Sequence, residues 1–131
     1  DGQLESAFQS IAAHMKKESL FLFDMNTEYK FREVLGQKVF GAAEEAAAYI
    51  WENDYDEEEK INEYYVSFFI EQENGLYERV EEYHYERAYS IEEIEQTLQA
   101  AGLALLEVTD GYSFAKPHEK SERLLFAARL K

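Results

Sequence analysis

Apolar positions recur at two different periods along this chain, and the change of period divides it. Leu4, Phe8, Ile11, Ala12 and Met15 fall at helical spacing, so residues 3–17 are predicted to form an amphipathic helix with that stripe buried. Lys16 and Lys17 end it where the helix dipole favours cations. Leu20–Asp24 is apolar on both faces, a strand of the kind covered from two sides in a parallel sheet. It stops in Asp-Met-Asn-Thr, and an apolar strand ending in small polar residues is how open α/β sheets offer groups to a ligand. Asn26 and Thr27 can cap a short helix over 28–35, closed by Gly36. Residues 36–46, small and rich in Ala and Glu, read as loop or a ragged helical turn.

The period then becomes two. Ala48–Asp54, Ile61–Gln72 and Leu76–Tyr89 alternate and are rich in Tyr, Phe, Val and Ile, with Tyr64, Val66, Phe68 and Ile70 on one face. Asn74-Gly75 is a strong hairpin signal, and Asp56–Glu59 makes the other reversal. Residues 48–89 therefore predict a three-stranded antiparallel meander with one apolar face. Helical spacing returns at Ile91, Ile94, Leu98 and Ala101, opened by a Ser90/Glu93 capping box and closed by Gly102. Leu103–Thr109 and Leu124–Arg129 are two further apolar strands, separated by a polar loop around Pro117. Only 20–24, 103–109 and 124–129 look like members of a central sheet. That core is thin, and an apolar strand at 20–24 without a second neighbour is a liability that intact proteins avoid, so a partner segment is expected.

Charge sharpens the division. Residues 44–95 hold 18 acids and 3 bases, and the rest of the chain holds 10 of each. Nucleic-acid backbones and anionic membranes both need positive charge, so neither is expected as a partner. Much of this acidity reads as a solvated face. The chain has no cysteine, which removes disulfides, thiolate metal sites and thiol nucleophiles and fits a cytoplasmic setting. It shows no apolar run of membrane-spanning length and no signal-peptide pattern. It starts at Asp1 rather than methionine, as expected of a cut, processed or excerpted chain.

The order of elements, with the strings AFQSIAAHMKKESLFLFDMNTEYK, YIWENDYDEEEK, EEYHYERAYSIEEIEQTLQAAGLALLEVTD and LLFAARLK, resembles the C-terminal half of a class I S-adenosylmethionine-dependent methyltransferase. The similarity is to the small-molecule branch with an antiparallel insert after the fifth strand. It implies an α/β fold, α+β as a fragment, made of the last three strands of a seven-stranded sheet with the final strand antiparallel between the other two. Residues 1–47 and 90–131 would be methyltransferase domain, and 48–89 an acceptor-side lid that can also form a dimer contact. The family's glycine-rich donor loop and its ribose-binding acid would lie upstream. The glycines present form no G-x-G pattern, so no donor-binding residue is carried over. S-adenosylmethionine is thus expected as cofactor of the intact protein, with none for this chain alone, which by itself would be inactive. The family's Pro-Gly-Gly before the fifth strand is here Lys17-Glu18-Ser19, so that turn must be built differently.

Methyl transfer asks chiefly for alignment of acceptor and donor, so no dense catalytic motif is expected. Asn26 and Tyr29, at the end of strand 20–24, are candidates to line an acceptor pocket, although Asn26 and Thr27 also suit helix capping. Trp51, Arg87 and Tyr89 are further substrate-binding candidates, since aromatics with a polar handle suit a pocket wall, an interface or cross-strand packing. His84, beside Glu82 and Glu86, is a weak candidate base or a sheet histidine with a structural hydrogen bond. His14 and His118 lie on other elements, so no metal is expected. The expected partners are a small-molecule acceptor and the missing N-terminal half. A standalone binding module, dimerising through the open strand edge, is the alternative. A small enzyme using Glu82 and His84 is a third.

Overall fold

The structure is a computed structural model and describes residues 2–131. In chain order it contains α1 (Gln3–His14), β1 (Leu20–Asn26), a helical turn (Lys30–Leu35), β2 (Val39–Ala43), β3 (Ala47–Asp56), β4 (Ile61–Glu71), β5 (Tyr77–Arg87), α2 (Ile91–Ala100), β6 (Leu103–Asp110) and β7 (Arg123–Leu130). These form two compact units. The first comprises the residues up to Lys30 together with Tyr89–Lys131, and the second is Phe31–Ala88.

In the first unit the strand order is β1-β7-β6, and β7 runs antiparallel to both neighbours. This is the arrangement the resemblance implies, with the final strand antiparallel between the other two. β1 and β6 are therefore parallel, and their carboxyl ends reach the same edge. Phe8 of α1, Ile94 and Leu98 of α2, and Leu103, Phe126 and Ala128 of the sheet are all buried in one core. Phe126 stacks on Phe23 at 4.9 Å and Phe23 on Phe21 at 4.7 Å, and Phe8 meets the Phe21 ring edge-on. Each such burial is worth about 1.5–3 kcal/mol. The opposite face is not covered within this unit: Leu20 and Leu22 are 61% and 60% exposed. Coverage of β1 from both sides, expected from its sequence, is thus met on one side only. β1 has one neighbour, so its other edge is open as anticipated.

Two local devices define this unit. In place of a glycine turn, residues 16–19 close through a Ser19 N–H bond to the Lys16 carbonyl (2.9 Å), while the Ser19 hydroxyl accepts the Lys16 N–H (3.2 Å). At α2 both halves of the capping box form: the Ser90 hydroxyl accepts from the Glu93 N–H at 3.1 Å, and the Glu93 carboxylate accepts from the Ser90 N–H at 2.7 Å. Ser90→Ala is expected to cost about 1 kcal/mol in urea unfolding, with Ser90→Thr costing less.

The second unit departs from expectation in its strand count. The insert is a four-stranded antiparallel sheet in the order β2-β3-β4-β5, not a three-stranded one. The added strand is β2, within residues read as loop or a ragged helical turn. Its small residues carry no alternation to betray it, and one of them makes a close approach to β3. A Cβ on Gly41 would stand 3.2 Å from the Tyr49 carbonyl oxygen of β3. The short helix read over 28–35 is a wide helical turn in which the Gly36 N–H bonds the Phe31 carbonyl, five residues back, at 2.6 Å. It buries Phe31 and Leu35 against Tyr55, Tyr64 and Ala88. The hairpins match their signals: Gly75 adopts φ +76° beside a Leu76 N–H bond to Asn74 Oδ1, and Asp56 Oδ1 accepts the N–H groups of Glu58 and Glu59.

Candidate functional site

The carboxyl ends of β1 and β6 bring several polar groups of the first unit together. Thr27 ties them. Its N–H bonds the Glu122 carbonyl at 3.1 Å, its hydroxyl donates to the Ser121 carbonyl at 2.6 Å, and the same oxygen accepts the Lys30 N–H at 3.1 Å. Capping thus falls to Thr27. Asn26 instead receives the Lys30 ammonium on Oδ1 at 3.0 Å. Asp24 pairs with Arg123 across the β1–β7 ladder. Beside this junction lies an open cavity of about 420 Å³ whose wall includes Glu28, Tyr29, Ile91, Pro117 and His118. Tyr29 is therefore a pocket residue of this unit, and Asn26 stands next to the pocket without lining it.

His118 was not grouped with these residues from sequence, because the loop around Pro117 carries no periodic signal. Its Nδ1 accepts the Lys120 N–H at 3.1 Å, and its Nε2 lies 3.3 Å from Asp110 Oδ2. Both ring nitrogens are engaged, so His118 shapes the wall rather than offering a free base.

The other candidates fall elsewhere. Trp51 and His84 lie on the same face of the second unit's sheet, in register with Val66 and Tyr64 of β4. Trp51 packs between Phe40 (5.1 Å) and Tyr64 (5.6 Å), and its buried Nε1 has no hydrogen-bond partner among the described residues. His84 is exposed, with Nε2 3.0 Å from Glu82 Oε2. Arg87 closes β5 opposite Ile61, on the other face. Tyr89 belongs to the first unit, where it packs against the core. A buried Asn62, donating to Asn53 Oδ1 at 3.3 Å, lies on the Trp51 face as well. Nothing in an alternating strand marks such a buried amide in advance.

The outer face, away from Trp51, is acidic and tyrosine-rich. Tyr65 stacks on Tyr83 at 4.8 Å, and the Tyr85 hydroxyl donates to Glu63 at 3.2 Å. The Glu63 carboxylate, by its charge and by accepting this bond, raises the Tyr85 pKa, because it disfavours a second anion beside it. Glu63→Gln is expected to move the Tyr85 titration to lower pH, read from the phenol carbon signal in NMR. An unmoved titration would show that the pair does not form in solution.

Among the described residues no three His, Asp or Glu side chains converge as metal ligands. The turn leaving β1 is Asn26-Thr27-Glu28, without glycine, and no G-x-G follows any strand. No helix among them is long and apolar enough to cross a membrane.

The fold and this distribution of groups have close counterparts. The chain is 30% identical over 129 residues to a protein of Geobacillus sp. (strain WCH70) named "Putative methyltransferase", matching 98% of this chain and 52% of that one. It is 33% identical to "Putative methyltransferase YqeM" of Bacillus subtilis (strain 168), over 93% of this chain and 49% of the relative. A crystal structure of an S-adenosylmethionine-dependent methyltransferase from Clostridium acetobutylicum superposes with a TM-score of 0.83 at 33% identity, covering 96% of this chain and 50% of that one. The CcbJ methyltransferase of Streptomyces caelestis shares the fold at 11% identity and a TM-score of 0.71, with coverages of 97% and 52%. No family model matches. In sequence and fold this chain is similar to about half of a protein named as a putative methyltransferase and to half of a solved S-adenosylmethionine-dependent methyltransferase. It spans about half the length of the curated relatives it matches.

Proposed function

We propose that this chain supplies the acceptor-side half of an enzyme that moves a methyl group from S-adenosylmethionine to a small molecule. The observation that carries this is the half-built sheet: β1 has an open edge, and Leu20 and Leu22 face solvent where a further layer would bury them. An upstream half with four more strands and the donor loop meets both needs. Tyr29 on the first unit and, separately, Trp51 and His84 on one face of the second unit's sheet are proposed acceptor contacts. Residues 48–89, the larger part of the second unit with Tyr89 of the first, are the proposed lid. Donor binding is assigned to the upstream half and the reaction to the cytoplasm.

The test begins with the reading frame upstream of the Asp1 codon. It is expected to encode a strand, a glycine-rich turn and a helix, and the longer product should transfer labelled methyl to a small amine, phenol or carbon acid. A start codon just before Asp1, or a longer product that does not bind S-adenosylhomocysteine, would overturn the proposal. The same open edge favours a second reading, a module dimerising through β1, and a strict monomer by sedimentation at high concentration would remove it.

A further inference from the structure

Of the two edges of the four-stranded sheet, β5 is the long one. It runs eleven residues, and all of them except Arg87 are exposed. Its hydrogen-bonding parity follows from its ends. The Ala88 N–H bonds the Lys60 carbonyl at 2.8 Å, and the Leu76 carbonyl accepts the Gln72 N–H at 2.8 Å. In an antiparallel ladder a residue points both backbone groups the same way, and its neighbours point theirs the other. Even-numbered residues therefore face β4, while the N–H and C=O groups of Tyr77, Arg79, Glu81, Tyr83 and Tyr85 face outward. Among the described residues no further strand lies beyond them in the sheet order.

The side chains around this edge select what can add to it. On the outer face, the Tyr65–Tyr83 stack stands in a shallow cavity of about 350 Å³ with Glu52, Asp54 and Glu63. On the inner face β5 presents Glu78, Glu82 and Glu86. Phe31–Ala88 as a whole carries 16 acids against 5 bases. A second copy is a poor occupant, because antiparallel self-pairing about Glu82 sets that residue against itself and Glu78 against Glu86. The same charges that repel a copy attract a cationic strand, and tyrosine faces attract its ammonium or guanidinium groups.

We propose that β5 receives, as a fifth strand, an extended cationic segment of a partner polypeptide. Its outward main chain would satisfy the open ladder, and alternate lysine or arginine side chains would lie over the Tyr65–Tyr83 stack among the carboxylates.

The test uses this chain with an eleven-residue alternating Lys-Val peptide and, as control, the same peptide with two valines replaced by proline. Amide exchange of Arg79, Glu81, Tyr83 and Tyr85 is expected to slow at least tenfold (~) with the first peptide and to stay unchanged with the second. Glu81→Pro removes an outward N–H and no bond to β4, so it should weaken binding about tenfold or more while the spectrum stays folded. Should that variant unfold, Glu63→Lys reads the same interaction through charge. Equal binding of the proline peptide, absent protection or no binding at all would overturn the proposal. So would a dimer in sedimentation that Glu81→Pro dissolves, since a second copy would then hold the edge.

Discussion

Phe126→Ala is expected to cost about 3–5 kcal/mol of folding stability. Phe126 is 1% exposed and sits on β7, the middle strand of its sheet. Its ring lies nearly parallel to that of Phe23, with an interplanar angle of 7°. Removing it opens a cavity bounded by strands and helices that are themselves packed, so little can collapse into the space. Loss of the offset stacking adds to the loss of buried area. Urea unfolding measures the cost, with Leu22→Ala as reference. Leu22 is 60% exposed, so its truncation should change stability by no more than about 0.5 kcal/mol. A Phe126→Ala cost below that of Leu22→Ala would contradict the packing described for this unit.

The second large effect concerns the methyl donor. Calorimetry of this chain with S-adenosylhomocysteine is expected to show no saturable binding in the micromolar range, whereas the product of the longer reading frame should bind there. A glycine-rich turn leading into a helix N-terminus lets backbone N–H groups approach an anionic or polar ligand closely. In this chain the glycines with positive φ, Gly36, Gly75, Gly102 and Gly111 among them, serve helix ends and hairpins. Gly111 alone follows a parallel strand, and it opens only a three-residue 3-10 turn after β6. Micromolar affinity of this chain alone would mean that donor binding does not need the upstream half proposed above.

What the sequence disclosed follows the strength of each local signal. The β1, β6 and β7 strands are continuous apolar runs, and α2 has a stripe, a capping box and a terminal glycine, so each was legible within a residue or two. β3, β4 and β5 were legible because alternation and Asn74-Gly75 agree with the pairing that forms. β2 was not. Its selection is tertiary, a bare backbone at Gly41 passing the Tyr49 carbonyl and Phe40 packing on Trp51, and neither partner is visible from within Val39–Ala43. The candidate pocket divides in the same way. Tyr29 was found because it follows a strand end, where ligands gather in open sheets. His118 was missed because its position depends on bonds to Asp110 and Lys120 that a polar loop does not advertise. Asn62 was missed because a buried amide in a strand looks like any polar position in an alternating pattern.

The Asp24–Arg123 pair joins residues 99 apart in the chain, and the β1–β7 ladder on either side of it spans similar separations. The strands of the second unit, by contrast, connect through tight reversals at residues 57–60 and 72–76. Contacts between distant residues form slowly, because the intervening chain must give up its freedom before they return anything. The hairpins should therefore be complete while β1 is still solitary, and their closure shortens the effective loop that β7 has to bridge. Timing, not only packing, is then set by Phe31–Ala88. Lengthening either hairpin turn should slow the docking of β7 onto β1 in stopped-flow refolding while leaving the unfolding rate nearly unchanged.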